Sequence, residues 1–168
     1  MNESSCMKNI VLIGMPGCGK TTVGQILANN LGRRFVDCDL VLEKAAALTI
    51  PEIFQREGEE GFRIRETQIL KETCGQSGLV IATGGGCVTR EENYPHLKHN
   101  GIIVYLERPL ALLAREGRPL SSGNMETMYQ HRLPLYRHFA DLTILNDESA
   151  DSTAKNIFEV LDKNNAFL

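Results

Sequence analysis

Short apolar runs recur along this chain, and the stretches between them carry helical spacing or helix-start signals. The runs are Ile10–Ile13, Phe35–Cys38, Leu79–Ala82, Ile102–Leu106 and Leu142–Leu145. Each reads as a strand. Behind the first, Val23, Ile26, Leu27 and Leu31 recur at helical spacing. Thr49-Ile50-Pro51-Glu52 opens another helix, with proline near its first turn. Gly58-Glu59-Glu60-Gly61 interrupts it, and a helix resumes at Phe62. There Phe62, Glu66 and Ile69 share one face with Arg63 and Leu70 alongside, while Arg65 turns away. Thr89-Arg90-Glu91-Glu92 reads as a further helix start. Pro109 opens a helix containing Leu110, Leu112 and Leu113, and Pro134 is expected to kink or end a later one. Ile157, Val160 and Leu161 mark a C-terminal helix with a packing role. Strands alternating with helices predict an α/β fold, a parallel sheet covered on both faces. No repeat, low-complexity tract or Pro/Ser-rich linker divides residues 1–168, so a single domain is expected.

In such sheets ligands bind at the carboxyl ends of the strands. The residues that follow each run therefore carry the chemistry. Gly14-Met15-Pro16-Gly17-Cys18-Gly19-Lys20-Thr21 follows the first run and fits the phosphate-loop pattern. Glycines let backbone N–H groups crowd around phosphate oxygens, and the next helix points its positive end at the same anion. Gly17, Cys18, Gly19, Lys20, Thr21 and Thr22 are the candidate nucleotide-binding residues. Lys20 can reach the β- and γ-phosphates, and the Thr21 hydroxyl can ligate Mg²⁺.

Asp37-Cys38-Asp39 follows the second run. One acid can hold Mg²⁺ through water while the other orients or deprotonates an acceptor hydroxyl. The bland alternative is an aspartate cap on the following helix. Arg63 and Glu66 place a guanidinium and a carboxylate beside an apolar stripe, which suits either a site or a surface ion pair. Thr83-Gly84-Gly85-Gly86 follows the third run, where a ligand could approach the backbone closely. Arg118-Pro119-Leu120 and Ser121-Ser122-Gly123-Asn124 read as a mobile loop carrying a cation, as a lid over phosphates would. Arg132 could meet an anionic acceptor in bidentate fashion.

Composition narrows the class. The 168 residues carry a net charge of −3, are 42% hydrophobic and 23% charged, and have a pI near 5.8. That is an ordinary globular protein and argues against one held on nucleic acid by charge alone. The polar start and the short run behind it show no export signal or membrane span, so a cytoplasmic protein is expected. Cys6, Cys18, Cys38, Cys74 and Cys87 show no paired or zinc-type spacing and read as reduced thiols. Cys18 reads as a small filler of a variable loop position, and His96 and His99 as surface residues.

In this order the motifs resemble the shikimate kinase family over nearly the whole chain. They are the phosphate loop, Asp37-Cys38-Asp39, Ile53-Phe54 followed by Gly58-Glu59 and Phe62-Arg63-Ile64-Arg65-Glu66, Gly84-Gly85-Gly86, Arg118-Pro119-Leu120, and Arg132 with Pro134-Leu135-Tyr136. The resemblance implies a three-layer, five-stranded parallel sheet of the phosphate-loop, nucleoside monophosphate kinase-like type. It also implies transfer of the ATP γ-phosphoryl group to the 3-hydroxyl of shikimate, with Mg²⁺, on the route to the aromatic amino acids. By matched position, Lys20, Asp39 and Arg118 would be catalytic, with Asp39 binding the acceptor hydroxyls. Arg63 and Arg132 would hold the shikimate carboxylate, Gly84, Gly85 and Gly86 would line its pocket, and Glu66 would fix Arg63. Asp37 would act on Mg²⁺ through water and Thr21 directly. Arg118 would close from a lid at about 115–125, over an acceptor region at about 38–66. A monomer acting on small molecules is expected.

Two departures stand out. The lid segment is short, leaving Arg115 as the nearby candidate for the adenine, and His138 stands where the family commonly has an acid. The rivals are another small-metabolite kinase of the same fold, such as a gluconate kinase, and an inactive nucleotide-binding homologue. Two arginines facing one pocket would speak against a neutral sugar as acceptor.

Overall fold

The structure, a computed structural model, describes residues 7–113 and 122–166. Its strands are β1 (Asn9–Ile13), β2 (Phe35–Asp37), β3 (Val80–Ala82), β4 (Gly101–Glu107) and β5 (Leu142–Leu145). They run parallel in the order β2-β3-β1-β4-β5. The helices are α1 (Lys20–Leu31), α2 (Cys38–Ala46), α3 (Ile50–Cys74), α4 (Asn93–His99), α5 (Leu110–Leu113), α6 (Ser122–Phe139) and α7 (Ala150–Lys163).

The central strand explains why the first run is apolar without alternation. Every residue of β1 is buried, because helices cover both faces of the sheet. A Cβ added to Gly24 of α1 would meet Leu12, and one added to Gly101 beside α4 would meet Val11. Successive β1 side chains thus meet opposite layers, as the two-residue period requires. Each fully buried aliphatic side chain here contributes about 1.5–3 kcal/mol. The chain leaves β1 toward β3 and β2 on one side and returns to β4 on the other. That reversal opens a crevice at the carboxyl end of β1.

Local chemistry sets the element ends. Gly19 opens α1 at φ 99°, a backbone that a side chain rarely tolerates. The Asp37 carboxylate caps α2 by accepting from the N–H groups of Asp39 and Leu40. Thr49 and Glu52 form a reciprocal capping box at the start of α3. The break expected near Gly58 lies at that residue (φ 70°, ψ −176°), and the helix resumes immediately. Phe54 and Phe62 stack across it with ring centroids 4.6 Å apart.

Several boundaries differ from the sequence reading. Cys38 begins α2 and does not end β2. Thr89 does not start a helix: its hydroxyl donates to the Gly86 carbonyl, closing a 3-10 turn at Cys87–Thr89, and α4 begins at Asn93. Pro134 neither ends α6 nor stops it short, since the helix runs on to Phe139. Ser122 to Asn124, read as loop, form the first residues of α6. The rest of the expected lid, with Arg115 and Arg118, lies outside the described residues.

Candidate active site

A cavity of about 320 Å³ opens at the carboxyl end of β1, lined by the phosphate loop, Asp37, Asp39, Thr83 and Gly85. Lys20 is buried beside it, and its ammonium donates to the carbonyls of Gly14 (2.8 Å) and Met15 (2.9 Å). The cation is therefore held over the loop before any phosphate arrives. Cys18 is fully buried with its sulfur 3.6 Å from the Lys20 ammonium, which fits a packing position in the loop. Gly17, Gly19, Thr21 and Thr22 face the cavity.

Asp37 caps α2 and lines the cavity as well. While Oδ1 caps α2, Oδ2 accepts from the Thr21 hydroxyl at 2.9 Å. Two hard oxygen donors thus sit together at the edge of the cavity, the donor set that Mg²⁺ takes. These residues fit the ion that the phosphate loop implies.

On the acceptor side, Arg63 and Glu66 are buried and paired, Nη1 to Oε1 at 2.8 Å. Glu59, on the solvent side, adds a longer ion pair at 3.6 Å. Arg65 turns away, as expected, and pairs with Glu57. The pair is incompletely satisfied: Arg63 Nε and Glu66 Oε2 are buried without a partner among the described residues. A buried ion pair with an open donor and an open acceptor is costly unless something completes it.

The three glycines bring this pair to Asp39. A Cβ on Gly84 would lie 2.7 Å from Glu66 Oε2 and 2.9 Å from Asp39 Oδ1. One on Gly86 would run into the Arg63 guanidinium, and one on Gly85 would reach Pro16 Cδ at 2.6 Å. The turn after β3 is thus wedged between the phosphate loop and the carboxylate–guanidinium group, leaving no room for side chains. Gly86→Ala is accordingly expected to displace Arg63 and raise the acceptor Kd about tenfold or more, leaving the nucleotide Kd within about twofold; calorimetry with each ligand checks this.

Burial raises the pKa of Asp39, and the neighbouring Asp37 carboxylate raises it further; Lys20 and Arg63 oppose them. Glu66 is raised chiefly by burial, against the pull of Arg63. The Arg132 cation, half-buried on α6, acts electrostatically on both Glu66 and Tyr136. Glu66 thus pairs with Arg63 and also feels the charge of Arg132.

Two contributors carried no clear signal in the sequence. The Tyr136 hydroxyl donates to the Gly85 carbonyl at 2.6 Å, and its ring stacks on Tyr105. This ties α6, and with it Arg132, to the glycine turn. Only the aromatic at the end of Arg132–Tyr136 hinted at it. Tyr136→Phe should cost about 0.5–1.5 kcal/mol in urea unfolding by removing that part-buried hydrogen bond. Asn146, buried behind the phosphate loop, lacks any local pattern. His138 meets Glu91 at 3.1 Å on the surface, away from the groups named above.

Comparison with known proteins agrees with this geometry. The shikimate kinase family model matches residues 16–162. The shikimate kinase of Synechococcus sp. (strain CC9902) is 45% identical, over 96% of this chain and 90% of that one. The structure of shikimate kinase from Acinetobacter baumannii in complex with shikimate superposes with a TM-score of 0.89 at 40% identity, covering 94% of each chain. A gluconokinase from Sinorhizobium meliloti, at 12% identity and a TM-score of 0.62 over 95% and 94% of the two chains, shares the fold alone. The chain belongs to the shikimate kinase family.

Proposed function

We propose that this protein transfers the γ-phosphoryl group of ATP to the 3-hydroxyl of shikimate, giving shikimate 3-phosphate and ADP. The observation that carries the reading is the buried Arg63–Glu66 pair, open at Nε and Oε2 and set against Asp39 across Gly84. A ring bearing one carboxylate and adjacent hydroxyls completes such a group. The solved complex of the A. baumannii relative with shikimate supports this acceptor.

The division of labour follows from position. The phosphate loop and Lys20 hold the β- and γ-phosphates, drawing on the helix N-terminus of α1. Thr21 would hold Mg²⁺ and Asp37 would act on it through water. The ion neutralises charge on the phosphates when bound. Arg63 and Arg132 take the acceptor carboxylate, Glu66 keeps Arg63 in place, and Gly84 to Gly86 let the ring approach the backbone. Asp39 receives the attacking hydroxyl. Its raised pKa makes its carboxylate a better proton acceptor than an ordinary aspartate. Most of the rate enhancement then comes from placing two anions in line and balancing their charge. Arg118, and Arg115 on the adenine side, would complete the donor site from the segment at 115–125, within a single domain of 168 residues.

One chain supplies every residue in this scheme, which supports a monomeric enzyme acting on small molecules and not on nucleic acid. Among the described residues no helix is long and apolar enough to cross a membrane; we place the enzyme in the cytoplasm. ADP release from Mg·ATP, measured by coupled assay with shikimate, with gluconate and with neither, tests the function. Shikimate-dependent turnover is expected; folded protein showing none with shikimate would refute the assignment.

A further inference from the structure

Asn146 lies outside every motif named so far, at the end of β5. Yet it is 3% exposed and all its polar groups are engaged around the phosphate loop. Its Nδ2 donates to the Cys18 carbonyl at 2.7 Å. Its Oδ1 accepts from the Thr153 hydroxyl of α7 at 2.6 Å. That hydroxyl also lies 3.2 Å from the Ser149 carbonyl, the weaker of its two contacts. The Asn146 backbone N–H donates to the Glu107 carbonyl at 2.8 Å, and its carbonyl accepts from Arg108 Nη1 at 3.0 Å. Loop, β4, β5 and α7 meet at this residue.

Peptide planarity turns this into a statement about the donor site. In a trans peptide the C=O and the next N–H point in opposite directions, and no cis bond occurs among the described residues. With the Cys18 carbonyl drawn to Asn146, the Gly19 N–H points the other way, and Gly19 lines the cavity. Gly19 could not carry a side chain here, since its Cβ would lie 2.8 Å from Asn146 Nδ2. The amide orientation is itself fixed. The Cys18 carbonyl can only accept, so Nδ2 must face it, and a flipped amide would set Oδ1 against that oxygen.

We infer that Asn146 is a positioning residue for the phosphoryl donor: it aims the Cys18–Gly19 peptide so that the loop is formed before nucleotide binds, with Thr153 holding the amide in register. This rests on reading the loop as the nucleotide site. Loop pre-organisation should appear in nucleotide affinity and leave acceptor affinity alone.

The test uses the full chain and measures Kd for Mg·ATP and, separately, for shikimate by calorimetry, alongside Tm. Asn146→Asp keeps the shape but sets a carboxylate against the Cys18 carbonyl. It should raise the Mg·ATP Kd about tenfold or more and leave the shikimate Kd within about twofold. A purely structural role would lower Tm with the nucleotide Kd unchanged, or shift both affinities together, and either result would overturn the inference. Should Asn146→Asp fail to fold, Thr153→Val decides. It should weaken Mg·ATP about threefold with Thr153→Ser restoring wild-type affinity, and an unchanged Kd in Thr153→Val would sink the proposal. Both readings use binding alone, so they stand apart from whether shikimate is turned over.

Discussion

Asp39→Asn should lower kcat by about 10²–10⁴-fold, leave the Kd for Mg·ATP within about threefold, and raise Tm. The first two effects follow from the place of Asp39 between the phosphate loop and the Arg63–Glu66 pair. The substitution keeps shape and removes charge, so the acceptor hydroxyl loses its proton acceptor while the donor site is untouched. The third follows from linkage. Burial first, and Asp37 second, raise the pKa of Asp39 in the fold. A carboxyl whose pKa is higher folded than unfolded holds its proton more tightly in the native state. Its contribution is favourable below the unfolded pKa and is lost as pH rises through the folded value. Above that folded value the ionised Asp39 is therefore a net cost, which a neutral isostere removes. For the same reason the acid limb of kcat/KM should lie above the ordinary aspartate range, with activity falling as pH drops through it. Thermal melts beside steady-state kinetics check all of this, and a variant with near wild-type kcat would remove Asp39 from the chemistry.

The second large effect is on Arg63. Arg63→Met leaves Glu66 buried without its cation, and such an uncompensated charge destabilises a protein by about 3–5 kcal/mol. Stability should return in large part in the double variant Arg63→Met with Glu66→Leu, because removing both charges removes the uncompensated one. Shikimate binding should not return with it. Urea unfolding followed by calorimetry separates the two. A stable double variant that binds shikimate like wild type would show that Arg63 serves the fold and not the acceptor.

Much of this was legible in the residues themselves. The β1 run and the glycine–lysine loop behind it are readable because burial on both faces and close backbone approach leave few alternatives. The side of α3 that carries Arg63 and Glu66 follows from helical spacing alone. Context defeated the rest. Pro134 removes a helix hydrogen bond, but Tyr136 and Phe139 beyond it are fully buried, and Tyr136 stacks on Tyr105 and bonds the Gly85 carbonyl. That packing offsets a helix penalty of about 3 kcal/mol. Thr89 has the residue type of a cap, yet its hydroxyl turns back to the Gly86 carbonyl and closes the turn instead. Asp37 could not be assigned to the cap alone because it has two oxygens, one capping α2 and one accepting from the Thr21 hydroxyl. Asn146 was invisible, since its partner Cys18 lies 128 positions away and no periodicity links them.

The central claim is that Arg63 and Arg132, beside Asp39, select the acceptor by its carboxylate. Its most direct test is kcat/KM for shikimate against shikimate carboxamide, which keeps the ring and hydroxyls but removes the charge. A loss of at least about a hundredfold is predicted, because the amide loses the charge that the arginines meet and sets an N–H donor against guanidinium N–H groups that need an acceptor. Equal kcat/KM for the two would contradict the account.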